Sequence, residues 1–218
     1  MKKYIAEFIG SFVLVFFACG TAVAVGCNPD AGTGYLLTAL AFGLVIVAMA
    51  YSIGNISGCH INPAVSIAML VSKKMSVKDF AGYVIAQFAG SIAGAAALKA
   101  FAPAGSTLGS NGLYEGKILA SIIIEIILTF VFVLAILGVT SKTENAGVAG
   151  IVIGLTLTLV HILGVQCTGA SFNPARSFGP ALLAGGESLE CVWVFIVAPL
   201  VGGVLAALVY KFLASEKE

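Results

Sequence analysis

Two copies of Asn-Pro-Ala, Asn62-Pro63-Ala64 and Asn173-Pro174-Ala175, stand 111 residues apart in matching surroundings. Each has the composition of a helix start: Asn caps the first free amides, and Pro suits the first helical position because its missing N–H is not needed there. Such a cap still leaves the Asn side-chain amide able to donate, and the helix dipole concentrates about half a positive charge at that end. A single copy is ordinary helix punctuation. Two copies meeting inside a bilayer would do more, because both amides would donate to the oxygen of one water while the paired dipoles repel cations. A water held in that way is poorly placed to accept a proton from its neighbour, so water passes and proton hopping is discouraged.

Holding two helix ends near the midplane of a bilayer sets demands on the rest of the chain. Of its 218 residues, 60% are hydrophobic and 10% charged, whereas a soluble domain carries about 25% charged residues. That balance argues against a soluble monomer. Net charge is +1 and no basic run exceeds two residues, so the positive stripe that nucleic acid requires is missing. The expected partners are lipid, further copies of the chain and small solutes.

Six apolar segments, near 4–25, 35–56, 79–102, 117–138, 147–165 and 191–213, are long enough to cross a hydrocarbon core of ~30 Å. Two shorter pieces, near 64–72 and 175–184, follow the Asn-Pro turns, and at about 1.5 Å per residue each reaches only halfway across. The fold class is therefore an all-α membrane protein with six transmembrane helices and two re-entrant half-helices. The irregular backbone before each half-helix must line an internal watery path, since unpaired amides facing lipid cost several kcal/mol.

The two halves match. Gly58-Cys59-His60-Ile61-Asn62-Pro63-Ala64-Val65-Ser66 aligns with Gly169-Ala170-Ser171-Phe172-Asn173-Pro174-Ala175-Arg176-Ser177, with five of nine positions identical. The same displacement of 111 takes Gly43 to Gly154, and one of 112 takes Ala86 to Ala198 and Gly90 to Gly202. An internal duplication follows, read as one channel domain over 1–218 with a first repeat at 1–105 and a second at 106–218. Three spans per repeat force the second to enter the membrane from the opposite side, so the repeats are inverted. With the N-terminus inside, Lys2, Lys3, Lys73, Lys74, Lys78, Lys142, Lys211 and Lys217 fall on the inner side and only Lys99, Lys117 and Arg176 toward the outer one. This satisfies the positive-inside rule and puts both termini in the cytoplasm.

Gly82, Ala86, Gly90 and Gly94 recur every four residues in the third span, as do Ala198, Gly202 and Ala206 in the sixth. That spacing lets helix backbones approach closely in lipid. Cys19, Cys27, Cys59, Cys167 and Cys191 contain no C-x-x-C pair, and most fall where thiols simply pack, so neither a disulfide framework nor a zinc site is expected. Cys27 and Cys191 share the outer side in this topology, which leaves that pairing open. The start, Met1-Lys2-Lys3 with Phe17-Ala18-Cys19-Gly20 downstream, has features of a secretory or lipoprotein signal. Glu7 interrupts the early apolar run, however, and the run continues to about Val25, the length of a span.

Paired Asn-Pro-Ala turns in inverted repeats resemble the aquaporin, or major intrinsic protein, family, and the likeness extends over essentially the whole chain. It includes Ala6-Glu7-Phe8-Ile9-Gly10, Ser57-Gly58-Cys59-His60-Ile61-Asn62-Pro63-Ala64 and Thr168-Gly169-Ala170-Ser171-Phe172-Asn173-Pro174-Ala175-Arg176-Ser177. The resemblance implies a passive channel in the cell membrane that catalyses no reaction, needs no cofactor or metal, and assembles as four copies with a pore in each.

It also implies an outer filter at Phe42, His161, Ala170 and Arg176. Displaced by 111, these bulky or charged residues meet Ile153, Ala50 and Val65 in place of Phe42, His161 and Arg176, so the constriction exists on one side only. Arg176 supplies a permanent charge and fixed donors, while Phe42 and His161 fill volume that a polyol would need. Glycerol-conducting members carry Gly for the His, Trp for the Phe and Asp after the Arg, so His161, Phe42 and Ser177 resemble the water-selective branch. Ala170 is smaller than the Cys or Thr frequent at its position, and Phe195-Ile196 lacks a second aromatic, which leaves a wider solute range open.

Buried alternatives accompany each of these residues. His161 could be a hydrogen-bonded structural histidine, and His60 is expected to anchor its loop rather than conduct. Arg176, two residues into an apolar half-helix, needs carbonyls or water to be tolerated. Glu7 and Glu125, in the corresponding first spans of the two halves, resemble family glutamates that accept hydrogen bonds from the re-entrant loops. A proton relay, as in a coupled transporter, is the alternative for them. The leading expectation is a water channel; the rivals are a broader pore for glycerol, hydrogen peroxide or ammonia, a secondary transporter, and a closed junctional protein.

Overall fold

The computed structural model describes residues 1–28 and 33–215. Backbone amides in hydrocarbon must pair within their own segment, so long apolar runs fold as helices. Among the described residues six helices have the length and composition to cross a membrane: α1 (Lys2–Ala24), α2 (Tyr35–Ser57), α4 (Val77–Lys99), α5 (Ile118–Val139), α6 (Ala146–Thr168) and α9 (Val192–Ala214). Two shorter helices, α3 (Pro63–Val71) and α7 (Pro174–Ala184), are the expected half-helices, and a single turn, α8 (Gly186–Glu190), follows α7.

Local chemistry sets the ends. The third span begins at Val77, earlier than the apolar run suggested, because the Ser76 hydroxyl accepts from Asp79 N at 3.1 Å and caps the helix. α6 continues beyond 165 to Thr168, where Gly169 at φ 75° ends it. α1 widens into a π-helical turn over Leu14–Cys19, and Cys19 is fully buried there. The stretch with signal-like features is thus the interior of a span. All five thiols are free, so Cys27 and Cys191 are not bonded to each other. Lys217 lies outside the described residues.

The helices pack in matched pairs. α1 lies along α4 and α5 along α9, α7 rests on α4 and α3 on α9, and α2 runs against α6 between the two groups. Small residues make these approaches close, as the four-residue stripes suggested. A Cβ at Gly202 would stand 2.7 Å from the Ile126 carbonyl oxygen, and one at Gly90 would strike the Phe8 carbonyl. At the α2–α6 crossing the repeat-related glycines face each other: a Cβ at Gly154 would come within 2.6 Å of the Gly43 oxygen. Gly154→Leu is therefore expected to force α2 and α6 apart and to cost about 1–3 kcal/mol from overpacking. A lower unfolding temperature of the purified variant in detergent is the measurement that checks it. Leu155, Leu159 and Ile162 on the other face of α6 are exposed, as side chains that meet lipid are.

Candidate functional site

Between α2 and α3 the chain runs through Gly58–Asn62, and between α6 and α7 through Gly169–Asn173. Both loops enter the left-handed region repeatedly, with Cys59 at φ 51° and Ile61 at φ 41° in the first and Ala170 at φ 56° and Phe172 at φ 52° in the second. Each such residue, β-branched Ile61 above all, costs on the order of 1–3 kcal/mol unless its surroundings fix it.

A buried carboxylate fixes each loop. Glu7 Oε1 accepts from Ser57 Oγ at 2.7 Å and His60 N at 2.9 Å, and its Oε2 accepts from Ile61 N at 2.6 Å and Gln87 Nε2 at 2.7 Å. Glu125 Oε1 accepts from Thr168 Oγ1 at 2.6 Å and Ser171 N at 3.0 Å, and its Oε2 from Phe172 N at 2.9 Å. Both glutamates are 0% exposed, and every partner named is a donor from a loop or its neighbours. Glu125→Gln would turn an acceptor into a donor against Ser171 N or Phe172 N, an unsatisfied buried contact worth about 1–3 kcal/mol. The expected result is a lower unfolding temperature with no change in proton conductance, measured on the same purified variant. A relay residue would give the opposite pattern.

The half-helices then start as the Asn-Pro turns dictate. Asn62 Oδ1 accepts from Ala64 N at 2.8 Å, and Asn173 Oδ1 accepts from Ala175 N at 3.1 Å and Arg176 N at 3.2 Å. The amide nitrogens cross between halves: Asn62 Nδ2 donates to the Phe172 carbonyl at 2.8 Å and Asn173 Nδ2 to the Ile61 carbonyl at 2.9 Å. These cross-bonds hold the two helix ends against one another. Each amide carries two hydrogens and spends one in this way, so one donor per Asn is left for a guest.

Both asparagines line a narrow slot together with Phe42, His60, His161, Ser171, Phe172 and Arg176, closed elsewhere by Leu14, Ile46, Phe132 and Leu157. Its ≈20 Å³ of space admits roughly one water at a time. The rings of Phe42 and His161 stack at 4.2 Å and 22°, and the Arg176 guanidinium carbon lies 4.8 Å from the Phe42 ring centre. Ala170, fully buried, stands beside Gly164 and adds no bulk. His161 Nδ1 lies 2.9 Å from the Leu157 carbonyl, which only accepts, so the proton sits on Nδ1 and Nε2 is an acceptor.

Arg176 is 2% exposed and forms none of the salt bridges found among the described residues. Its Nη1 donates to the Gly109 carbonyl and to Asn111 Oδ1, each at 2.9 Å, and Nη2 to the Gly169 carbonyl at 3.4 Å. Two polar atoms on residues of this slot, His161 Nε2 and Arg176 Nε, are buried without a hydrogen-bond partner among the described residues. On the Arg176 side the slot opens into a cavity of ≈440 Å³ lined partly by Thr38, Ser106 and Gly109, and near His60 a cavity of ≈240 Å³ is lined by Cys59, Met69 and Lys74. A narrow neck between two wider mouths is the geometry of a passage.

The family model for the major intrinsic protein matches residues 1–210. The chain belongs to the major intrinsic protein family. This makes it an integral membrane channel protein. As a major intrinsic protein it is 43% identical to "Aquaporin Z" of Rhodopseudomonas palustris over 228 residues, covering 99% of this chain and 94% of that one. It is 44% identical to "Glycerol uptake facilitator protein-like 6" of Lactiplantibacillus plantarum, covering 99% and 100% of the two chains. Among solved structures, the aquaglyceroporin from Plasmodium falciparum superposes with a TM-score of 0.86 at 25% identity, covering 99% of this chain and 97% of that one.

Of the residues singled out from the sequence of this major intrinsic protein, Phe42, His60, Asn62, His161, Asn173 and Arg176 line the slot, and Ala170 is not in its lining. Phe42, His161 and Arg176 come together, the two Asn-Pro-Ala turns abut, and Glu7 and Glu125 underlie the loops. His60 does two things: its Nδ1 shares a hydrogen bond with Ser66 Oγ at 3.1 Å, and its ring also lines the slot. Two supporting residues, Gln87 and Asn111, escaped the sequence reading. Gln87 stands inside the glycine stripe, where the repeat of small residues masked a fully buried amide. Ser177 and Asn111 were also missed as a pair, although Ser177 Oγ donates to Asn111 Oδ1 at 2.7 Å. The only signal for Asn111 was a polar residue between glycines, which reads as an ordinary turn.

Proposed function

We propose that this channel conducts water down osmotic gradients and excludes protons and ions. The observation that carries the reading is the pair of unpartnered atoms on the slot residues, His161 Nε2 and Arg176 Nε. One is an acceptor and the other a donor, and a water molecule offers the complement of both from a single oxygen. Stacked Phe42 and His161 fill the space a carbon chain would need, while the Arg176 charge raises the energy of any cation in the neck. Farther along, the free hydrogens of Asn62 and Asn173 hold a water by its oxygen and interrupt proton hopping. In this reading Pro63, Ala64, Pro174 and Ala175 shape the midplane turns, Ala170 completes the filter, and Glu7, Glu125 and His60 support the loops.

The same proposal takes 1–105 and 106–218 as inverted repeats, places both termini in the cytoplasm and the Arg176 mouth outside, and assigns the protein to the cell membrane as a homotetramer with one pore per copy. A broader pore for glycerol, hydrogen peroxide or ammonia is the second reading, favoured by the small Ala170 and by Ile196 in place of an aromatic. Proteoliposomes tested side by side with water and these three solutes distinguish them. Uptake of glycerol at the rate of empty vesicles supports the water reading, and fast glycerol uptake with no gain in water permeability overturns it.

A further inference from the structure

We infer that Asn111 is the positioning residue of the filter: it sets which edge of the Arg176 guanidinium faces the lumen and thereby the tightness of the ion barrier. The inference rests on the proposed role of Arg176 and deepens it. Asn111 lies in the connection between α4 and α5, outside the slot lining and far in sequence from Arg176, yet it is only 3% exposed. All its side-chain bonds converge on the filter. Oδ1 accepts from Arg176 Nη1 at 2.9 Å and from Ser177 Oγ at 2.7 Å, and Nδ2 donates to the Thr168 carbonyl at 3.1 Å. The next residue adds to the clamp, since Gly112 N donates to Thr168 O at 3.2 Å.

The guanidinium is a planar fork with five N–H groups in fixed directions. Binding both hydrogens of Nη1, to Gly109 O and Asn111 Oδ1, fixes the plane and leaves Nε as the unpartnered donor. Without the Asn111 acceptor, Nη1 retains one partner, Nη2 a long contact to Gly169 O, and the fork is free to rotate. Asn111 also fixes the rotor of Ser177, whose oxygen is shared with Ser171 Oγ at 2.6 Å. Two consecutive half-helix residues are thus read by one amide from a distant loop.

Proteoliposomes with an entrapped pH dye and a light-scattering readout test this with three variants and one double variant. Asn111→Leu keeps the volume and removes both polar atoms; loss of a charge-assisted bond shifts the orientation equilibrium about tenfold or more. Its proton leak is expected to rise about tenfold while water permeability holds. Asn111→Gln keeps a neutral amide acceptor and leaves the Arg176 charge unpaired, and it is expected to leak less than Asn111→Leu. Because Asn111 acts through Arg176, adding Asn111→Leu to Arg176→Val is expected to add nothing to the leak of Arg176→Val alone. Additive leaks in the double variant, or a leak from Asn111→Gln equal to that from Asn111→Leu, would overturn the positioning role. Asn111→Ala, which also removes both polar atoms but is smaller, takes its place should Asn111→Leu not fold. If Arg176→Val itself leaves the leak unchanged, the filter reading fails first, which separates the two failures.

Discussion

Proteoliposomes carrying Arg176→Val are expected to leak protons about tenfold faster than those carrying the parent protein, with water permeability within about twofold. The expectation follows from charge and position. Arg176 is buried beside the slot and forms no salt bridge among the described residues, so its charge acts on whatever passes. A unit charge about 4 Å from a cation raises its energy by about 4 kcal/mol at an effective dielectric constant near 20, and about 1.4 kcal/mol is already a factor of ten. The asparagine pair and the two helix ends remain in the variant, so the leak stops well short of the full loss of that barrier. Valine is the residue that occupies the repeat-related position, Val65, where the half-helix is formed normally. An unchanged proton leak together with normal water flux would remove Arg176 from the filter.

The second large effect concerns size. Phe42→Trp combined with His161→Gly is expected to admit glycerol about tenfold faster than the parent protein. The imidazole stacks on Phe42 at 4.2 Å and lines the slot, so its removal opens volume and deletes a polar side chain at one point. Tryptophan supplies an apolar wall along which a carbon backbone can lie. A folded double variant with no gain in glycerol uptake would mean that the narrowest point lies elsewhere, at Asn62 and Asn173 or in the apolar wall of Leu14, Ile46 and Phe132.

How much of this the residues foretold divides along a physical line. Spans and half-helices were legible because bilayer thickness sets their length and because hydrocarbon permits so few backbone structures. The duplicated Asn-Pro-Ala turns were legible because capping is local: the bonds to Ala64 N and Ala175 N join residues two apart. Glu7 and Glu125 stood out since a carboxylate in an apolar span demands partners, although which loop amides they would meet was not readable from their positions. The small-residue stripes marked α4 and α9 as closely packed helices by a local spacing rule, but not that their partners would be α1 and α5.

Asn111 and Gln87 were not legible, and for a common reason. Their partners lie far along the chain, Arg176 and Ser177 for Asn111, Glu7 and Ser66 for Gln87. Such bonds depend on the packing of elements whose mutual position no local pattern encodes. The cross-bonds from each Asn amide to the opposite loop belong to the same class. They also sharpen the meaning of the paired turns, since one hydrogen of each amide ties the halves together and only the other is left for water.

The most direct test is a paired flux measurement on one preparation: purified protein in liposomes holding a pH dye, shrunk by an outward osmotic gradient and then exposed to a pH step. The expected result is shrinkage many times faster than in empty vesicles, with dye response to the pH step no faster than in empty vesicles. Shrinkage at the rate of empty vesicles, or a proton flux that rises with the amount of protein, would contradict a water channel that excludes protons.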